Sequence, residues 1–127
     1  MQLFRRTALV AFLALGATAT AARAQDKDAL RIYFADVEGG QATLFVTPLG
    51  ESLLVDTGWP GNDNRDADRI LALCKKAGVN KIDNVLITHF HVDHAGGIPQ
   101  LAAKIPIGRF IDHGDNTETT DGATLSA

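Results

Sequence analysis

"THFHVDHAGG", residues 88–97, holds three histidines and an aspartate within six positions: His89, His91, Asp93 and His94. A buried imidazole needs a hydrogen-bond partner, so free histidines rarely crowd together in a core. His89 and His91 stand two apart, directly after an apolar run that reads as a buried strand. In extended backbone that spacing puts both rings on one side, where they can converge on a cation. Imidazole nitrogen is the commonest protein ligand for Zn²⁺ and also suits iron. Asp93 and His94 sit on the following turn, where a carboxylate and an imidazole can hold a second cation beside the first. Gly96 and Gly97 let the backbone turn tightly beneath them. The H-x-H-x-D-H string is far more specific than a lone histidine pair. The bland alternative is solvated or core histidines with no metal.

Working outward, "IDNVLITHF" (82–90) supplies the strand that delivers the histidines, and "GGIPQLAAK" (96–104) follows it. Pro99 fits the first turn of a short helix with Gly97 near its cap. "IGRFID" (107–112) reads as another strand. Upstream, "LRIYFADV" (30–37), "QATLFVT" (41–47) and "SLLVD" (52–56) read as strands separated by "EGG" and "PLGE" turns. Their apolar and β-branched content predicts a buried first strand and two successive antiparallel hairpins. Between 64 and 77, Ala67, Ile70, Leu71, Cys74 and Ala77 recur at helical spacing. Asp63 or Asn64 is the expected cap. Asp66 and Asp68 suit the positive end of the helix dipole, and Lys75 and Lys76 its negative end. Gly78 ends the helix. Cys74 lies on the apolar stripe and reads as a small core side chain rather than a ligand or nucleophile. As the single cysteine it excludes an intrachain disulfide.

The first 24 residues read as a secretory signal peptide. Arg5 and Arg6 form a positive region, Thr7 to Ala22 is uncharged and apolar, and Ala22-Arg23-Ala24 is an A-x-A cleavage site. The apolar part is short for a spanning helix, and an uncleaved anchor is the alternative. The paired arginines raise twin-arginine export beside the general secretory route. The mature chain, 25–127, is expected in the periplasm or outside the cell, with no stable membrane anchor. Cleavage removes three of twelve basic residues and no acid, so nine face fifteen and the formal charge moves from −3 to −6. That balance offers no basic footprint for nucleic acid or an anionic membrane.

The string "THFHVDHAGG", with a strand ending "LLVDTG" (53–58) before it, is similar to the metallo-β-lactamase-fold hydrolase superfamily. The resemblance covers most of residues 30–112 and implies an α/β fold, an αββα sandwich of two sheets with helices outside. By position His89 and His91 match ligands of that family's first metal site, and Asp93 and His94 ligands of the second. It implies zinc, two ions per site, with iron or manganese as alternatives. Asp56 matches the aspartate of the family's D-T-G turn, which supports the ligand loop. The activity implied is metal-assisted hydrolysis, in which a water activated between two cations attacks an ester, phosphodiester or amide-type bond. Asp93 holds the second metal and orients that water. Within the superfamily, "DVEGGQATLFVTP" (36–48) is most similar to the "DVGQGDA" opening of the hydrolase domain of DNA-uptake competence proteins. Asp36, Val37, Gly40 and Ala42 agree. Glu38 and Gly39 depart, and Gln41 replaces an acid, which together with the acidic charge weighs against a nucleic-acid substrate.

The family completes its site with a further histidine, a bridging aspartate and a last histidine, all well downstream. Here only His113 follows His94. It lies too early for that role and reads as a pocket-rim or turn residue, with Asp112 and Asp115 as turn formers. The chain is therefore expected to hold the N-terminal half of the domain and a half-site, with an apolar sheet face exposed. A small-molecule or polymer substrate is left open. A β-lactam-degrading enzyme and a non-catalytic metal-binding or interaction domain are the alternatives.

Overall fold

The computed structural model describes residues 28–116. The expected signal peptide lies outside the described residues. Strands β1 (Arg31–Phe34), β2 (Thr43–Val46) and β3 (Ser52–Val55) form the two expected antiparallel hairpins. Helix α1 (Arg65–Ala77) then carries the chain across the sheet, so β4 (Ile82–Leu86) returns parallel to β3. Two short helices, α2 (Val92–Ala95) and α3 (Ile98–Ala102), lead to β5 (Ile107–Ile111), which lies parallel to β4. The sheet order is β1-β2-β3-β4-β5, an α/β arrangement with a mixed five-stranded sheet. Among the described residues there is this one sheet of the expected sandwich.

Leu44, Leu54 and Val85 are aligned by the strand register and buried together with Ile70 and Cys74 of α1. Each large aliphatic side chain taken from water in this way contributes roughly 1.5–3 kcal/mol. Neighbouring positions point the other way. Ile32, Phe45 and Leu53 share one register line, and Phe34, Val55, Leu86 and Ile111 lie on the same opposite face. Phe34 is 77 % exposed and Ile32 45 % exposed, so the expected uncovered apolar face is present.

The strand β1 departs from its expected burial. It alternates half-buried and exposed residues because it is an edge strand with a helix on one side only. The cap of α1 departs too. Asn64 sits in left-handed backbone, φ 65°, and makes no side-chain cap bond. An aspartate or asparagine caps from extended φ/ψ, which aims its oxygen at the N2 or N3 amide; left-handed geometry does not. The other end follows expectation, with Gly78 at φ 77° and its N–H donating to the last carbonyls.

Cys74 is 1 % exposed, and burial pushes its thiol up to about 11. Against a usual value near 9, that leaves about a hundredfold less thiolate at neutral pH. A thiol reagent should therefore label native protein far more slowly than protein unfolded in urea. Equal rates would remove Cys74 from the core.

Candidate metal centre

The four residues of the motif occupy the junction between β4 and α2. β4 ends at Leu86, and Ile87 remains buried beside it. The chain then emerges at Thr88. His91 holds extended backbone, φ −62° and ψ 147°, as the residue that opens α2. Asp93 and His94 lie within that helical turn, not on a plain turn as expected. The three rings pack together. His89 and His94 have centroids 4.0 Å apart, and His89 and His91 4.6 Å apart, edge to face. Asp93 Oδ2 lies 3.6 Å from His94 Nε2. Two donors on one tetrahedral zinc, at bonds of about 2.0–2.2 Å, stand about 3.4 Å apart. The Asp93–His94 pair therefore has the spacing of two ligands to a single ion. All four side chains are half-buried, held by the fold yet open to solvent. Among the described residues, no group of three such donors converges as a metal cage.

Asp56 is the brace beneath this cluster. It is fully buried and takes left-handed backbone, φ 58°. Its Oδ1 accepts the Thr88 backbone N–H at 2.8 Å, and its Oδ2 accepts the Thr88 hydroxyl at 2.7 Å. His94 Nδ1 lies 2.8 Å from the same Oδ2. Both carboxylate oxygens are thus committed to the ligand loop, as the support role expects. Thr57 adds a second tie: its N–H and its hydroxyl both donate to the His94 carbonyl, at 2.7 and 3.0 Å. The Gln41 N–H reaches the Asp93 carbonyl at 3.2 Å, and the Gly58 N–H donates to the Gln41 carbonyl at 2.9 Å. Segments 40–41, 57–58 and 93–97 are laced together through their backbones.

The glycines beneath the site serve a different purpose from the one expected. Gly96 (φ −65°) and Gly97 (φ −76°) hold ordinary right-handed helical backbone that any residue adopts. What they need is space. A β-carbon on Gly97 would overlap the Thr57 carbonyl oxygen, and one on Gly96 would meet Pro60. Gly40 is crowded in the same way by the Asp93 carbonyl.

Several supporting residues had no assigned role in the sequence. Thr88 was visible inside the motif, but only its contacts give it a function. Asp66 is fully buried instead of standing free at the helix end. It accepts the Trp59 N–H and the Arg65 Nε–H at 2.8 and 2.7 Å, fixing the loop after Gly58. Glu38, where the chain departs from the competence-protein opening, pairs with Arg65 and Arg69 at 2.8 and 3.1 Å. Arg69 also reaches the Asp36 carbonyl. These exposed pairs are worth little individually, but they orient loop 36–41 against α1.

His113 lies beside the ligand loop, its ring 5.1 Å from that of Phe90. With Thr88, Leu86 and Ile111 it borders an open recess of about 230 Å³, in keeping with a rim position. Asp112 accepts the Gly114 N–H at 2.8 Å and shapes a turn as expected.

Residues 35–126 match the family model of the metallo-beta-lactamase superfamily. A hydroxyacylglutathione hydrolase of Stenotrophomonas maltophilia is 39 % identical over 62 residues, covering 49 % of this chain and 21 % of that protein. A metal-dependent hydrolase of Herpetosiphon aurantiacus is 32 % identical over 76 residues, covering 58 % of this chain and 29 % of that protein. The matched stretch thus spans less than a third of either relative's length.

Proposed function

Since the chain belongs to the metallo-beta-lactamase superfamily, whose members are metal-dependent hydrolases, we propose that it carries the N-terminal metal-binding portion of an exported hydrolase. His89 and His91 hold one ion, and Asp93 and His94 a second. Zinc is the proposed metal, with iron or manganese as alternatives. The observation that carries this reading is the 3.6 Å Asp93–His94 donor pair beside the packed rings of His89 and His91. A bound divalent ion would supply Lewis acidity and lower the pKa of water toward neutrality. The chain's own residues do the rest. Asp93 holds its ion and orients the water, while Asp56 and Thr88 keep the rings aimed outward. Substrate reaches them from the solvent side. A catalytic zinc usually takes three protein ligands plus water, so the proposal places the remaining donors outside the described residues. The 127-residue chain alone is expected to bind zinc weakly and substoichiometrically, without turnover.

The substrate bond is an ester, thioester, phosphodiester or amide. The thioester enters through the name of the hydroxyacylglutathione hydrolase. The phosphodiester enters through the competence-protein-like opening, against which the acidic mature charge weighs. The test uses the chain joined to whatever coding sequence follows Ala127, loaded with zinc. It is assayed on an S-acylglutathione thioester, bis-p-nitrophenyl phosphate and nitrocefin. Turnover of one class should vanish in His91→Ala and fall steeply in Asp93→Ala. Two tightly bound zinc ions without hydrolysis of any class would favour a metal-binding domain and remove the enzyme reading.

Export rests on the sequence of residues 1–24 and places the protein in the periplasm or outside the cell. Among the described residues no helix is long and apolar enough to cross a membrane. Mass spectrometry of exported protein should find Gln25 at the N-terminus; an intact Met1 in that material would overturn the cleavage site.

A further inference from the structure

We infer that Thr88 is a positioning residue which, together with Asp56, sets the proton position on two histidines at once and so selects Nε2 as the donor atom of both. The inference deepens the metal-site reading above and rests on it for its functional meaning, though not for its chemistry.

Asp56 Oδ2 only accepts, and the Thr88 hydroxyl lies 2.7 Å from it. A hydroxyl has one proton, and a bond to a carboxylate is the stronger use of it. The Thr88 Oγ1 therefore turns its lone pairs elsewhere. His89 Nδ1 stands 3.0 Å from that oxygen. With the hydroxyl proton already committed, the contact forms only if His89 Nδ1 carries the hydrogen and donates it. A neutral His89 then presents a bare Nε2. His94 follows the same logic more directly. Its Nδ1 is 2.8 Å from Asp56 Oδ2 and 3.5 Å from Thr88 Oγ1, so the carboxylate is its partner. Nδ1 again holds the proton, which leaves Nε2 of the neutral ring turned toward Asp93. That Nε2 is the atom lying 3.6 Å from Asp93 Oδ2.

One buried carboxylate thus governs His94 by direct contact and His89 through a hydroxyl relay. A partner that holds the far nitrogen of a ligating histidine fixes both its tautomer and its ring angle, and its loss commonly weakens metal binding by about 10–100-fold. Serine keeps the hydroxyl; valine keeps the shape and removes it. His91 has no part in this relay and serves as an internal reference.

The test uses the full 127-residue chain, metal-free, with ¹⁵N-labelled histidine. Long-range ¹H–¹⁵N correlation spectra distinguish Nδ1–H from Nε2–H rings. His89 and His94 should both be Nδ1–H in the unsubstituted chain and in Thr88→Ser. In Thr88→Val, His89 should lose that preference while His94 keeps it, and zinc affinity should fall by about 10–100-fold and recover in Thr88→Ser. An Nε2–H form of His89 in the unsubstituted chain overturns the inference without any variant having to fold. So does a Thr88→Val spectrum unchanged at His89. If the tautomer pattern holds but Thr88→Val binds zinc as tightly as the unsubstituted chain, the relay stands and its part in metal binding falls.

Discussion

Asp56→Asn should be among the most damaging single substitutions in this chain, lowering stability by about 2–4 kcal/mol. The exchange changes hardly any volume, and asparagine accepts the left-handed backbone at φ 58° as readily as aspartate. What it changes is hydrogen-bond polarity. Asp56 receives the Thr88 amide, the Thr88 hydroxyl and the His94 ring, and it is fully buried. An amide offers one accepting oxygen and one NH₂ group. With its oxygen on the Thr88 amide, its NH₂ faces the Thr88 hydroxyl and His94 Nδ1, which accept from it only if the hydroxyl turns away and the imidazole proton moves to Nε2. All three bonds also lose their charged acceptor, and bonds to a charged group are worth about 1.5–3 kcal/mol each against about 1 kcal/mol for neutral ones, so their exchange costs about 2–4 kcal/mol. For a domain of this size the midpoint of thermal unfolding should drop by on the order of 10–30 °C. Urea unfolding measures the free energy directly, and an unchanged m-value would show that the folded state alone was affected. Asp56→Ala should be worse, because alanine also resists left-handed backbone. Asparagine tolerated within about 0.5 kcal/mol would mean that the carboxylate does not hold the loop.

Gly97→Ala is the second large effect, and its sign decides between two explanations. Backbone at φ −76° is comfortable for alanine. If Gly97 were present only for its flexibility, alanine would stabilise the fold by about 0.4–1 kcal/mol through the unfolded chain. The structure demands the opposite. The new methyl meets the Thr57 carbonyl oxygen, an atom of the main chain. Thr57 is fully buried and donates twice to the His94 carbonyl, and the Gly97 N–H itself donates to the Gly58 carbonyl at 3.0 Å. Neither strand of backbone can retreat without pulling on the ligand loop. Overpacking of this kind costs about 1–3 kcal/mol and sometimes more. Denaturant titration of the alanine variant settles the sign, and zinc titration should show weaker binding in the same protein. A stabilised variant with unaltered zinc affinity would refute the close-packing account.

The features readable from sequence were those that short-range physics controls. Helix α1 follows from an apolar stripe and the left-handed glycine that stops it. The hairpins follow from alternating apolar runs and tight turns, and α3 from proline in its first turn. The histidine cluster was legible because all four side chains fall within six positions of one motif. A strand and one helical turn suffice to bring such near neighbours together.

What had to wait for the tertiary structure was every property set between distant segments. Asp56 and His94 are 38 positions apart, and Thr88 meets Asp56 across 32. Only the parallel pairing of β3 with β4, enforced by the α1 crossover, places those residues side by side. The burial of Asp66, the edge position of β1 and the need for glycine at 97 arise in the same way, from what the fold puts next to each residue. Residue types and spacing marked the candidate donor residues of this protein. The packing of loops 36–41 and 56–58 beneath them decided how those side chains are held, because orientation depends on partners that no local pattern contains.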